Sequence, residues 1–108
     1  MERVFFKMKL KPGYEEQYDK NHAAVWPSVL EAIERSGVKA YSIFRDGLDL
    51  YAHVEAADFD RSMAALNAEP EHTRWAEKWA YMFEPAPNPT ADREGAPVIP
   101  EVFRFEAK

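Results

Sequence analysis

From Val4 to Leu10 apolar and polar positions alternate. Val4, Phe6, Met8 and Leu10 fall on one face, and Arg3, Phe5, Lys7 and Lys9 on the other, which is the two-residue period of a strand. Pro12-Gly13 marks a turn. The period then changes to four: Tyr14, Tyr18 and His22 share one helical face, and Glu15 and Glu16 ahead of them suit the positive end of a helix dipole. Val25-Trp26-Pro27 breaks this helix near Ala24, because the residue before a proline is pushed out of the helical region; Pro27 then suits the first turn of a second helix to Ser36, with Gly37 as its stop. Val38 to Phe44 reads as a second strand and Arg45-Asp46-Gly47 as a hairpin turn. Leu48 to Glu55 reads as the third strand, with Leu48, Leu50, Ala52 and Val54 on one side. Asp58 or Asp60 is placed to cap a helix through Met63 and Leu66 to about Ala68. Pro70 restarts helix, and Trp75, Trp79 and Met82 fall on one face. Phe83 to Pro97 is a proline-rich loop, and Val98 to Glu106 reads as a last strand.

Strand, helix, strand, strand, helix, strand is the ferredoxin-like βαββαβ order, an α+β fold with an antiparallel sheet and its helical layer on one face. The opposite face then requires a cover. The strands place apolar or aromatic residues on both faces, Phe5 and Phe6, Tyr41 and Phe44, Tyr51 and Leu50, Phe103 and Val102, and an open sheet face is ordinarily more polar. The pattern predicts a homodimer packed through the sheet face.

Composition narrows the picture. At 108 residues the chain fits a single domain spanning 1–108, and 46% apolar with 14% aromatic content supports a substantial core. The absence of cysteine excludes disulfides and thiolate metal sites, and with no signal-like N-terminus and no long apolar run a cytoplasmic protein is expected. A net charge of −5 argues against nucleic acid or an anionic membrane as partner and points to a small molecule or another protein.

His22 is the leading candidate for chemistry, since imidazole gains and loses a proton near neutral pH and here lies beside Tyr18 at a helix break. Tyr18 and Tyr41 are ambiguous between packing and hydrogen bonding to a ligand. Trp75 and Trp79 are core residues by spacing, or else an aromatic wall for a sugar ring. His53 and His72 belong to no metal-ligand spacing, the four serines lack a nucleophile context, and no glycine-rich phosphate loop is present, so neither metal nor cofactor is expected.

Tyr18, His22-Ala23-Ala24-Val25-Trp26-Pro27, Tyr41-Ser42-Ile43-Phe44, Arg74-Trp75 and Pro100-Glu101-Val102-Phe103 together resemble the L-rhamnose mutarotase family, nearly end to end. The resemblance implies a dimeric α/β barrel in which His22 is the proton donor or acceptor and Tyr18, Tyr41 and the Trp75 region bind the sugar, with no cofactor. Two departures bear on substrate choice: Trp75-Ala76 stands where many members have paired tryptophans, with Trp79 one turn on, and Ala40 stands where many have asparagine. The resemblance also implies the reaction, anomer interconversion of L-rhamnose or a similar 6-deoxy or pentose sugar through the open-chain aldehyde. In it His22 is assigned the ring-oxygen proton. The competing readings on the same fold are a cofactor-free monooxygenase acting on aromatic substrates and a ligand-binding module without catalysis.

Overall fold

The computed structural model describes residues 1–84 and 98–107. Among these residues four strands, β1 (Glu2–Lys9), β2 (Val38–Asp46), β3 (Asp49–Ala56) and β4 (Val98–Ile99), form one antiparallel sheet in the order β2-β3-β1-β4. Four helices, α1 (Glu15–Ala23), α2 (Pro27–Arg35), α3 (Phe59–Asn67) and α4 (Pro70–Trp79), cover one face, and a 3₁₀ turn over Ala80–Met82 follows α4. This is the expected ferredoxin-like order, each helical layer being a pair broken at a proline.

Local chemistry sets most boundaries. Pro27 and Pro70 open α2 and α4, and Asp58 caps α3 by accepting from the Arg61 amide at 3.2 Å. Gly47 turns the β2–β3 hairpin with φ of +61°, a region that favours glycine. Tyr14 sits outside α1 as its N-terminal flanking residue, with its ring edge on Tyr81.

Alternation along β1 and β3 sends Val4, Phe6, Leu50, Ala52, Val54 and Ala56 into the core. There Phe6, Ala52 and Val54 pack with Ala32, Phe59, Met63 and Leu66 of the helices. A second cluster joins Leu10, Tyr18, Leu50 and Met82. The segment after the 3₁₀ turn is tied to the end of β1, Lys11 donating to the Met82 carbonyl at 2.8 Å and Glu84 to the Lys9 carbonyl at 2.9 Å. That pairing brings Phe83 and the end of α4 against α1.

β2 departs from simple alternation. Val38 pairs with Ala56, but Ala40 pairs with Glu55, so one extra residue is accommodated between them. Such a bulge reverses which side chains face in. Val38 on one side of it, and Tyr41 and Ile43 on the other, all pack on the helix-side core, while Ser42 and Phe44 are exposed.

The strand expected over 98–106 is much shorter. Only Val98 and Ile99 pair with β1, opposite Phe6 and Phe5. Pro100 then ends the ladder because it has no N–H to donate. Residues 101–107 are neither strand nor helix, Val102, Phe103 and Phe105 are largely exposed, and Glu101 is ion-paired with Arg3. Of the proline-rich loop expected over 83–97, residues 85–97 lie outside the described residues.

Candidate active site

α1 places two rings on one face. Tyr18 points inward and is 3% exposed, seated on Leu10, Leu50 and Met82. His22 follows one turn later, just before α1 ends at Ala23. Its ring stacks on Tyr18 with centroids 4.2 Å apart and meets the edge of Trp75 at 5.9 Å. Its Nδ1 lies 3.2 Å from the Tyr18 backbone oxygen. A carbonyl oxygen only accepts, so Nδ1 carries the hydrogen and Nε2 keeps its lone pair.

The surroundings push both groups toward neutrality. Desolvation by the packed rings lowers the His22 pKa, outweighing the Tyr18 carbonyl and the Asp19 carboxylate, which favour the cation. Burial, reinforced by Tyr41 and Asp19, raises the Tyr18 phenol far above its ordinary range. Asp19 is itself held ionised by Arg45, which donates to both carboxylate oxygens at 2.7 Å. At neutral pH the site therefore offers an unprotonated imidazole nitrogen beside a protonated phenol.

α4 supplies an aromatic wall. Trp75 meets Trp26 edge-on at 5.0 Å and Trp79 at 6.0 Å, and Lys78 lies over the rings of both Trp26 and Trp79. Both α4 tryptophans remain partly exposed, as does every described residue of that helix, so they are wall rather than core. The Trp79 Nε1–H is buried without a hydrogen-bond partner among the described residues. α4 is fixed to α2 by Arg35, which donates to Glu69 at 2.8 Å, and by Ser28, which donates to Glu71 at 3.1 Å.

Tyr41 enters from the sheet. Because of the β2 bulge it faces the helices opposite Val54, near enough to Tyr18 to act on its ionisation. It also lines a small cleft of about 50 Å³, open to solvent, with Phe6, Met8, Met63, Leu66, Asn67 and His72. Ring contacts thus link four of the five residues singled out in the sequence, Tyr18, His22, Trp75 and Trp79, while Tyr41 lines a neighbouring cleft whose lining includes none of those four.

Three participants were not legible as such. Trp26 registers in the sequence only as the residue before a helix-breaking proline, although it packs on Trp75. His72 prompts only a question about metal, whereas it lines the cleft beside Tyr41. Arg45 reads as a turn residue, and nothing in the spacing pairs it with Asp19 across 26 positions. Among the described residues no three His, Asp or Glu side chains are grouped to hold a metal ion.

An antiparallel four-stranded sheet with helices on one face places the chain in the dimeric α/β barrel class of fold. Two solved structures share it: an L-rhamnose mutarotase from Formosa agariphila (TM-score 0.73, 25% identity, covering 98% of this chain and all of that one) and, by fold alone, tetracenomycin F2 cyclase from Streptomyces glaucescens (TM-score 0.71, 16% identity). The L-rhamnose mutarotase family model matches residues 3–105. A relative named L-rhamnose mutarotase from Bacteroides thetaiotaomicron is 37% identical over 109 residues, 98% of this chain and 100% of the relative, and one from Phocaeicola vulgatus is 34% identical over 110 residues with the same coverage. The chain belongs to the L-rhamnose mutarotase family, isomerases that interconvert sugar anomers.

Proposed function

We propose that this chain interconverts the α and β anomers of L-rhamnose or a similar 6-deoxy sugar, with His22 moving the proton. The observation that carries the reading is the His22 ring itself, stacked between Tyr18 and Trp75 with Nδ1 tied to a carbonyl and Nε2 left with its lone pair. Nε2 takes the proton of the anomeric hydroxyl as the carbonyl forms at C1 and the bond from C1 to the ring oxygen breaks. Both oxygens are bonded to C1, so one imidazole reaches both. It carries the proton away from the hydroxyl and delivers it to the ring oxygen. The resulting aldehyde rotates about C1–C2 and recloses on its other face by the reverse transfers.

This refines the assignment of His22 to the ring-oxygen proton alone, because an imidazole with a lowered pKa begins the cycle as a base. Tyr18, kept protonated by burial, donates a hydrogen bond to the oxygen on which negative charge develops. Tyr41, Trp75 and Trp79 hold the ring, the buried Trp79 N–H offering a donor to a sugar hydroxyl. A positioned base contributes about 10²- to 10⁴-fold, sufficient for a reaction that water already performs.

The reading includes a homodimer through the sheet face away from the helices. There Phe5 stacks on Tyr51 with centroids 5.8 Å apart, and Phe44 is 61% exposed. A chain without cysteine suits the cytoplasm, and among the described residues no helix is long and apolar enough to cross a membrane. The test of function is polarimetry on freshly dissolved L-rhamnose, with L-fucose, L-lyxose and galactose in parallel. Faster relaxation of L-rhamnose than of galactose is expected; a protein that accelerates neither refutes the reading.

A further inference from the structure

The cleft beside Tyr41 is divided in character. Phe6 and Met8 of β1 and Met63 and Leu66 of α3 form an apolar floor, while Asn67 at the end of α3 and His72 in the first turn of α4 supply polar groups at the rim. His72 and Trp75 are one turn apart on α4 and share a face, so one helix borders both this cleft and the His22 ring. Tyr41 borders the cleft from the sheet side and acts on the ionisation of Tyr18, the ring on which His22 stacks. A sugar held by its anomeric end at His22 is a compact ring, and its opposite end must rest on whatever adjoins that site.

We propose that this cleft is the subsite for the end of the sugar remote from the anomeric carbon, taking the methyl of a 6-deoxy sugar on its apolar floor and hydrogen-bonding the neighbouring hydroxyl through His72 and Asn67. The inference rests on the mutarotase reading and adds to it the residues that select the substrate. A methyl is matched by Phe6, Met8, Met63 and Leu66. A hydroxymethyl in the same place would bury a hydroxyl against carbon and sulfur, with no hydrogen bond to replace those of water. His72 acts on binding rather than on proton transfer, since the hydroxyl it meets takes no part in ring opening.

The experiment compares L-rhamnose, L-mannose and L-lyxose, which carry methyl, hydroxymethyl and hydrogen respectively at C5, by NMR anomeric exchange. Native protein is expected to favour L-rhamnose over each of the other two by about tenfold or more in kcat/KM, the discrimination that a methyl-sized difference allows in an apolar pocket. His72→Phe, which keeps a flat ring but no nitrogen, is expected to raise KM for L-rhamnose about tenfold with kcat within twofold, the loss of one hydrogen bond to the ligand. His72→Gln restores most of the affinity, and thermal melting confirms that both variants fold. An unchanged KM in His72→Phe, a loss confined to kcat, or equal turnover of L-rhamnose and L-mannose by native protein overturns this inference and leaves the mutarotase reading standing. Native protein that accelerates none of the three sugars overturns both.

Discussion

Tyr18 separates structure from catalysis when two substitutions are compared. Its ring is 3% exposed, packs on Leu10, Leu50 and Met82, and carries the His22 ring at 4.2 Å. Tyr18→Phe keeps every one of those ring contacts and removes only the hydroxyl. The melting temperature is therefore expected to stay within about 4 °C, the shift that a change of 1 kcal/mol or less produces in a domain of this size. The rate constant for anomer exchange is expected to fall about 10- to 100-fold, since a hydrogen bond to a developing charge is worth about 1.5–3 kcal/mol. Tyr18→Ala removes the ring from a filled site. Loss of a buried aromatic costs about 3–5 kcal/mol, a large part of an ordinary domain's stability, so melting should drop by at least about 12 °C. Circular dichroism melting and NMR exchange on the same samples read both effects. Exchange at the native rate in Tyr18→Phe would show that the phenol only packs. A melting temperature close to native in Tyr18→Ala would refute the account of the second core cluster.

Because burial lowers the His22 pKa, anomer exchange is expected to be level between pH 6.5 and 8 and to decline as pH falls below the ordinary histidine value of about 6.5, measured by NMR exchange in a pH series. The same shift has a consequence for stability. The folded chain resists a proton that the unfolded chain accepts, so stability present at neutral pH is lost as pH falls below about 6.5; urea titration at pH 7.5 and 5.5 should show a larger loss for native protein than for His22→Gln. Trp75→Ala removes the edge against His22 and the centre of the tryptophan wall, and is expected to raise KM about tenfold by loss of aromatic contact, measured by initial rates over sugar concentration. Phe44→Asp places a charge on the exposed sheet face and is expected to convert a dimer into a monomer in sedimentation velocity, with native protein as the reference.

Much of this site is written in local spacing. Tyr18 and His22 are four apart on one helix, so their stacking follows from helical geometry alone. The break at Trp26-Pro27 and the caps at Asp58 and Pro70 are equally local, and α1 to α4 lie close to where those signals put them. What depends on distant partners was not legible. Whether Tyr41 faces the helices turns on the bulge between Val38 and Ala40, which no alternation in the strand announces. The segment Val98 to Glu106 reads as strand, but pairing needs a partner edge and a donor at each step, and Pro100 interrupts it. The Asp19–Arg45 pair and the place of His72 in the cleft arise only when α1, β2 and α4 are brought together.

The central claim is that His22 moves the proton at the anomeric centre. NMR saturation transfer between the two anomeric protons of L-rhamnose tests it most directly, with native protein and with His22→Ala shown by circular dichroism to be folded. The account predicts transfer well above the rate in buffer for native protein and a loss of about 10²-fold or more in the variant. Transfer that persists at the native rate in His22→Ala would contradict the claim and place the proton-transfer group elsewhere in the molecule.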